Sequence, residues 1–127
     1  MEFDAVLLNN VIGAVRTVRL PPVRLESDVV DAIKKSLDLV EIPYEQEVVV
    51  APRSRVDLLV EGGIAIEVKK GKPNTRTVAR QVERYASGDM VTAVVLVSER
   101  GLIHHIVEAH GKPIEYVALS KNWGLST

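Results

Sequence analysis

The sequence predicts an α/β domain: a mixed central β-sheet flanked by helices, in the order α-βββ-α-β-α-β. Three observations carry that prediction. Residues 55–70 hold two alternating apolar runs around Gly62-Gly63, the pattern of a β-hairpin. Residues 25–40 and 74–87 repeat apolar side chains at helical spacing. Residues 91–97 are a nearly continuous β-branched run, as in a strand covered on both faces.

The elements follow in order. Residues 2–18 read as an amphipathic helix, with Phe3, Val6, Leu7, Val11, Ala14, Val15 and Val18 on a broad apolar face. Pro21-Pro22 sets its end, and a hairpin turning at Asn9-Asn10 is the alternative. So wide a face suggests a homodimer through residues 2–18; packing onto its own domain is the other use for it. In the helix over 25–40, Leu25, Val29, Val30, Ile33, Leu37 and Val40 share one side. Residues 45–50 form the first strand, and the hairpin supplies two more. A helix capped by Asn74 or Thr75 runs to about Ser87 and buries Val78, Val82 and Ala86. The strand over 91–97 is reached by a right-handed parallel crossover. A helix over 101–110 with a Gly111 C-cap and a last strand over 114–119 complete the sheet. The division is one domain: an extension at 1–22, a core at 23–120 and a tail at 121–127. Trp123 in the tail either caps the core or meets a partner.

Composition narrows the class. The chain has 127 residues, 46% hydrophobic, enough for one core, and its net charge is −1. That balance argues against tight nonspecific nucleic-acid binding by the whole surface but allows a local basic groove. No apolar run approaches the roughly 20 residues of a membrane span, so no membrane partner is expected. The acidic start Met1-Glu2-Phe3-Asp4 is unlike a signal peptide, and the chain has no cysteine, so a cytoplasmic setting is expected.

The hairpin carries the chemistry. With Glu61-Gly62-Gly63 as a three-residue loop, Val60 faces Ile64, Leu58 faces Ile66 and Val56 faces Val68, placing all six on one side. Asp57 then lies opposite Glu67, and Arg55 opposite Lys69, on the other side. Opposed Cβ atoms sit about 4.5–5.5 Å apart. Two carboxylates about 4 Å apart repel by roughly 4 kcal/mol at an effective dielectric near 20. Lys69 offsets part of this, and Mg²⁺ or Mn²⁺ would offset more, since hard cations take carboxylate oxygens and water. The plainer alternative is a surface hairpin with solvated ion pairs.

Glu26 stands on the apolar line of its helix, where an unpaired acid is costly. Either it belongs to the first turn, favoured by the helix dipole, or it reaches the metal. Gln81 and Tyr85 lie one turn apart on the third helix. Beside them Arg76, Arg80 and Arg84 form a ridge which, with Lys69, Lys70 and Lys72, puts six cations within sixteen residues. Such a ridge is either a solvated face or a track for phosphates. His104, His105 and His110 have no zinc-motif spacing and read as helix-surface residues.

Glu26, Asp57, Glu67-Val68-Lys69 and Gln81-Val82-Glu83-Arg84-Tyr85, in that order, resemble the PD-(D/E)xK nuclease superfamily. The QxxxY string is similar to that of RecB-like exonucleases and of EndoMS/NucS-type mismatch endonucleases. Val56 stands where that family usually has proline, and without cysteine no iron–sulfur cluster is expected. The resemblance implies a restriction-endonuclease-like core and a metal-dependent DNA nuclease of repair, recombination or end and branch processing. It implies that Asp57, Glu67, the Val68 carbonyl and Glu26 hold Mg²⁺ or Mn²⁺, with Lys69, Gln81 and Tyr85 completing the catalytic set. Arg55, Lys70, Lys72, Arg76, Arg80 and Arg84 would contact single-stranded, duplex or branched DNA. Its place beside two carboxylates favours an electrostatic role for Lys69 over that of a general base. A non-catalytic DNA-binding or assembly module on the same fold is the alternative.

Overall fold

The computed structural model describes residues 1–20, 25–71, 74–99 and 106–119. Three helices, α1 (Ala5–Arg16), α2 (Glu26–Leu39) and α3 (Thr75–Ser87), surround a sheet. Its strands are β1 (Tyr44–Ala51), β2 (Ser54–Val60), β3 (Ile64–Lys69), β4 (Ala93–Ser98), β5 (Glu108–Ala109) and β6 (Lys112–Ala118). They lie in the order β1-β2-β3-β4-β6-β5. The pairs β3–β4 and β4–β6 are parallel and the others antiparallel, so the sheet is mixed as expected.

Local chemistry sets the helix starts. The Asp4 side chain accepts the Leu7 N–H at 3.0 Å to open α1, and Asn74 accepts the Thr77 N–H at 3.1 Å to open α3. At α2 the Asp28 carboxylate reaches back to the Leu25 N–H at 2.7 Å. The hairpin alternative at Asn9-Asn10 does not form, and α1 ends at Arg16, before the prolines.

The sheet separates two apolar clusters. On one side α1 and α2 lay Val11, Val15, Val29, Ile33 and Leu37 against Leu58, Val60, Ile64, Ile66 and Val68. On the other, Val78, Val82, Tyr85 and Ala86 of α3 cover Ala65, Val94, Leu96 and Ile114. Strand β4 is buried along its whole length, which is why its sequence does not alternate in polarity. The apolar face of α1 is thus spent inside the domain, on α2 and β6. Val6 of α1 and Phe3 just before it remain exposed. No helix among the described residues is long and apolar enough to cross a membrane.

The structure corrects four expectations. Glu108–Ala109 is a strand rather than the end of a helix over 101–110; residues 101–105, with His104 and His105, lie outside the described residues. His110 and Gly111, at φ 52° and 75°, make the two-residue turn that joins β5 to β6, so Gly111 is no helix cap. Leu25 and Val40, placed on the apolar side of α2, are exposed, because only Val29, Ile33 and Leu37 reach the sheet. Val56 joins the α3-side cluster with Val50, so five rather than six hairpin residues share the other face. In the neighbouring β1, Glu47 has φ 48°, and the β1–β2 register shifts between Val49 and Ala51, close to Val56.

The ribbon lies close against the end of α3 at Val50. A Cβ at Gly88 would sit 2.6 Å from the Val50 carbonyl oxygen, a backbone atom that cannot turn aside. Gly88→Ala is therefore expected to cost about 1–3 kcal/mol, read as a lower urea midpoint. An unchanged midpoint would mean that the ribbon does not close on α3.

Candidate functional site

The β2–β3 ladder pairs Leu58 with Ile66, Leu59 with Ala65 and Val60 with Ile64, the register the three-residue loop predicts. Past Leu58 and Ile66 the strands cease to bond through their backbones and the carboxylates take over. The Asp57 N–H donates to Glu67 Oε1 at 3.1 Å, and the Val68 N–H donates to Asp57 Oδ2 at 2.7 Å. Each acid is fixed by the other strand's backbone, and the two converge where the strands part. Each bond to a charged acceptor contributes about 1.5–3 kcal/mol, which offsets the mutual repulsion.

Two further donors meet Glu67. Tyr85 donates its O–H to Oε2 at 3.0 Å, and Lys69 Nζ lies 3.4 Å from the same oxygen. Asp57, Glu67, Lys69 and Tyr85 are thus brought together as the sequence anticipated. Gln81, one turn before Tyr85, has a buried Oε1 with no hydrogen-bond partner among the described residues. A buried acceptor of this kind calls for a donor such as an ordered water. The site sits at the carboxyl end of β3 beside that of parallel β4, where open α/β sheets place their ligands.

Glu26 is the first residue of α2, on the line of the buried stripe but three residues ahead of Val29. It is exposed, so the first-turn reading holds for its position and the core does not have to accommodate a charge. It is still near the site. Desolvation of its carboxyl end raises its pKa, the charge of Asp57 adds to this, and Lys69 and Lys70 oppose it. Among the described residues no three His, Cys, Asp or Glu side chains gather closely enough to hold a metal. The groups here that could hold a hard cation are the Asp57 and Glu67 carboxylates, with the backbone of Val68 beside Asp57 and Glu26 nearby. This donor set fits Mg²⁺, which keeps several waters and takes one or two carboxylates rather than a full protein cage.

The Glu67 carboxyl is pushed up to about 7, first by burial and then by the Asp57 charge, against the pull of Lys69. Burial, the Glu67 charge and their hydrogen bond push the Tyr85 phenol above its ordinary range, so it stays a donor. The rise at Glu67 has a consequence for stability. Between the ordinary carboxyl value of 4.5 and about 7 the folded protein keeps a proton that the unfolded chain releases, so stability falls as pH rises. Metal-free protein is expected to lose up to about 3 kcal/mol between pH near 5 and pH near 8. Glu67→Gln should abolish most of that slope in urea melts at the two pH values. A slope that persists in the variant would show that another group is responsible.

The remaining site expectations divide. Arg76, Arg80 and Arg84 are exposed along α3, and Lys70 is exposed just past β3. The β2–β3 backbone ladder ends at Leu58 and Ile66, short of Arg55 and Lys69; Arg55 pairs with Val49 on β1, and its guanidinium is 3.7 Å from Glu47. Lys72 and Trp123 lie outside the described residues. Sequence reasoning missed Ser98, a buried polar residue paired with Lys69 in the ladder, and Glu99, which follows it. Their only signal is the parallel register, which a single strand's sequence does not carry. His110 lies in a turn, 3.9 Å from Glu83. No known protein family, curated protein or solved structure matches the chain.

Proposed function

We propose that the protein is a metal-dependent DNA nuclease of the PD-(D/E)xK type, with a restriction-endonuclease-like core, that hydrolyses phosphodiester bonds in the cytoplasm. The observation that carries the reading is the reciprocal clamp. Asp57 and Glu67 are each fixed by the partner strand's N–H where the hairpin opens, with an ammonium 3.4 Å from one of them. Folding alone gains little from two half-opposed acids in one opening, whereas chemistry at a phosphate does.

Asp57, Glu67 and the Val68 carbonyl would hold a Mg²⁺ or Mn²⁺ ion, which when bound would polarise the phosphate as a Lewis acid and lower the pKa of its water. The chain's own residues do the rest. Tyr85 fixes the rotamer of Glu67 through its O–H. Lys69 presents a positive charge to the oxygens that gain negative charge as the phosphorus becomes five-coordinate. Gln81 offers its buried oxygen to a water, and Glu26 acts at the rim through water. Arg76, Arg80 and Arg84, one helical turn apart on an exposed face, follow successive phosphates, with Lys70 nearer the scissile one.

A second reading, a DNA-binding module without catalysis, is favoured by the absence of a three-ligand acid cluster among the described residues. Labelled single-stranded, duplex, flap and branched DNA, with and without Mn²⁺, separates the two. Mn²⁺-dependent cleavage of any substrate supports the nuclease. Binding without cleavage supports the module. A homodimer through residues 2–18 would have to use the outer side of α1, around Phe3 and Val6.

A further inference from the structure

We propose that Lys69 is the resident cation of the metal-free site, neutralising Glu67 until a divalent ion displaces it. The inference rests on the metal-site reading above and adds to it a competition between lysine and metal. Alternation along β3 puts residues 67 and 69 on the same side, and Nζ lies 3.4 Å from Oε2 with both side chains mostly buried, at 18% and 11% exposure. The same oxygen receives the Tyr85 O–H at 3.0 Å, while Oε1 receives the Asp57 N–H at 3.1 Å. The four groups thus form a closed set in which one ammonium partly balances two acids.

A dication on Glu67 brings two positive charges to within a few ångströms of that ammonium, in a site poorly screened by water. The two cations compete for one carboxylate, and the lysine, on a flexible stem, is the one that moves. A bound dication would therefore weaken the Lys69–Glu67 pair, and without metal the ammonium offsets part of the charge of the two acids.

Calorimetric titration of the full chain with Mn²⁺ alone, in alkaline buffer where protons do not compete, tests this. Lys69→Met should bind Mn²⁺ about tenfold more tightly than wild type, or tighter still, because the rival cation is gone. Arg55→Met removes a charge that is engaged with Glu47 instead, and should change affinity less than about twofold. Equal or weaker binding by Lys69→Met overturns the proposal, as does equal tightening in both variants, which would be a general charge effect. If wild type binds no Mn²⁺, the metal-site reading itself fails. Thermal melts give a second readout: Lys69→Met should melt lower than wild type in chelator and gain more from Mn²⁺. Should Lys69→Met not fold even with Mn²⁺, Lys69→Gln, which retains a donor without the charge, is expected to show the same tightening. No tightening there overturns the proposal as well.

Discussion

Asp57→Asn and Glu67→Gln are each expected to leave a folded protein whose Mn²⁺-dependent DNA cleavage falls at least about 10³-fold. The amides are chosen because they retain the clamp. In Asp57→Asn the side-chain amide oxygen can still accept the Val68 N–H. In Glu67→Gln it can still accept the Asp57 N–H, so neither buried donor is orphaned. Alanine at either position would leave an N–H without its partner, at about 1–3 kcal/mol, and confuse folding with chemistry. At position 67 the amide also sets an NH2 where Oε2 meets Tyr85 and Lys69. Asp57→Asn relieves the repulsion between the acids, so its thermal stability near neutral pH should hold or rise while activity is lost. Full activity in either variant would overturn the assignment of these residues.

Lys69→Ala is expected to lose about 10²–10³ in turnover while DNA affinity changes little. The ammonium lies inside the opening, paired to Glu67, rather than on the exposed ridge that would hold the substrate backbone. The converse is expected of Arg76→Ala, Arg80→Ala and Arg84→Ala combined. Those side chains are exposed and spaced along one helix, so their loss should weaken binding and flatten its salt dependence by up to about three phosphates' worth. Measured turnover and salt-dependent affinity on one substrate separate the two classes. A Lys69→Ala protein with normal turnover but poor binding would reverse the roles given to lysine and arginines.

The hairpin was legible because period-two polarity around Gly62-Gly63 admits only one register that keeps the charges off the core, and the paired residues obey it. The third helix was legible because Asn74 is a good cap and Val78, Val82 and Ala86 repeat at the right interval. What escaped was what depends on distant contacts. Val56 looked like another member of the inner stripe, yet it packs in the other cluster, with Val50 and α3. His110-Gly111 looked like a helix end because glycine there serves a C-cap and a hairpin turn equally well. Asp57 and Glu67 could be placed opposite each other from sequence. That Glu67 would take the Asp57 N–H, and Asp57 the Val68 N–H, depends on where the strands part.

The central claim is that Asp57 and Glu67 share one divalent ion. Anomalous X-ray scattering from crystals grown with Mn²⁺ measures this most directly. The account predicts one strong peak between the two carboxylates, about 2.0–2.2 Å from an oxygen of each and near the Val68 carbonyl. No peak there at millimolar Mn²⁺, with both acids still clamped on backbone N–H groups, would contradict it.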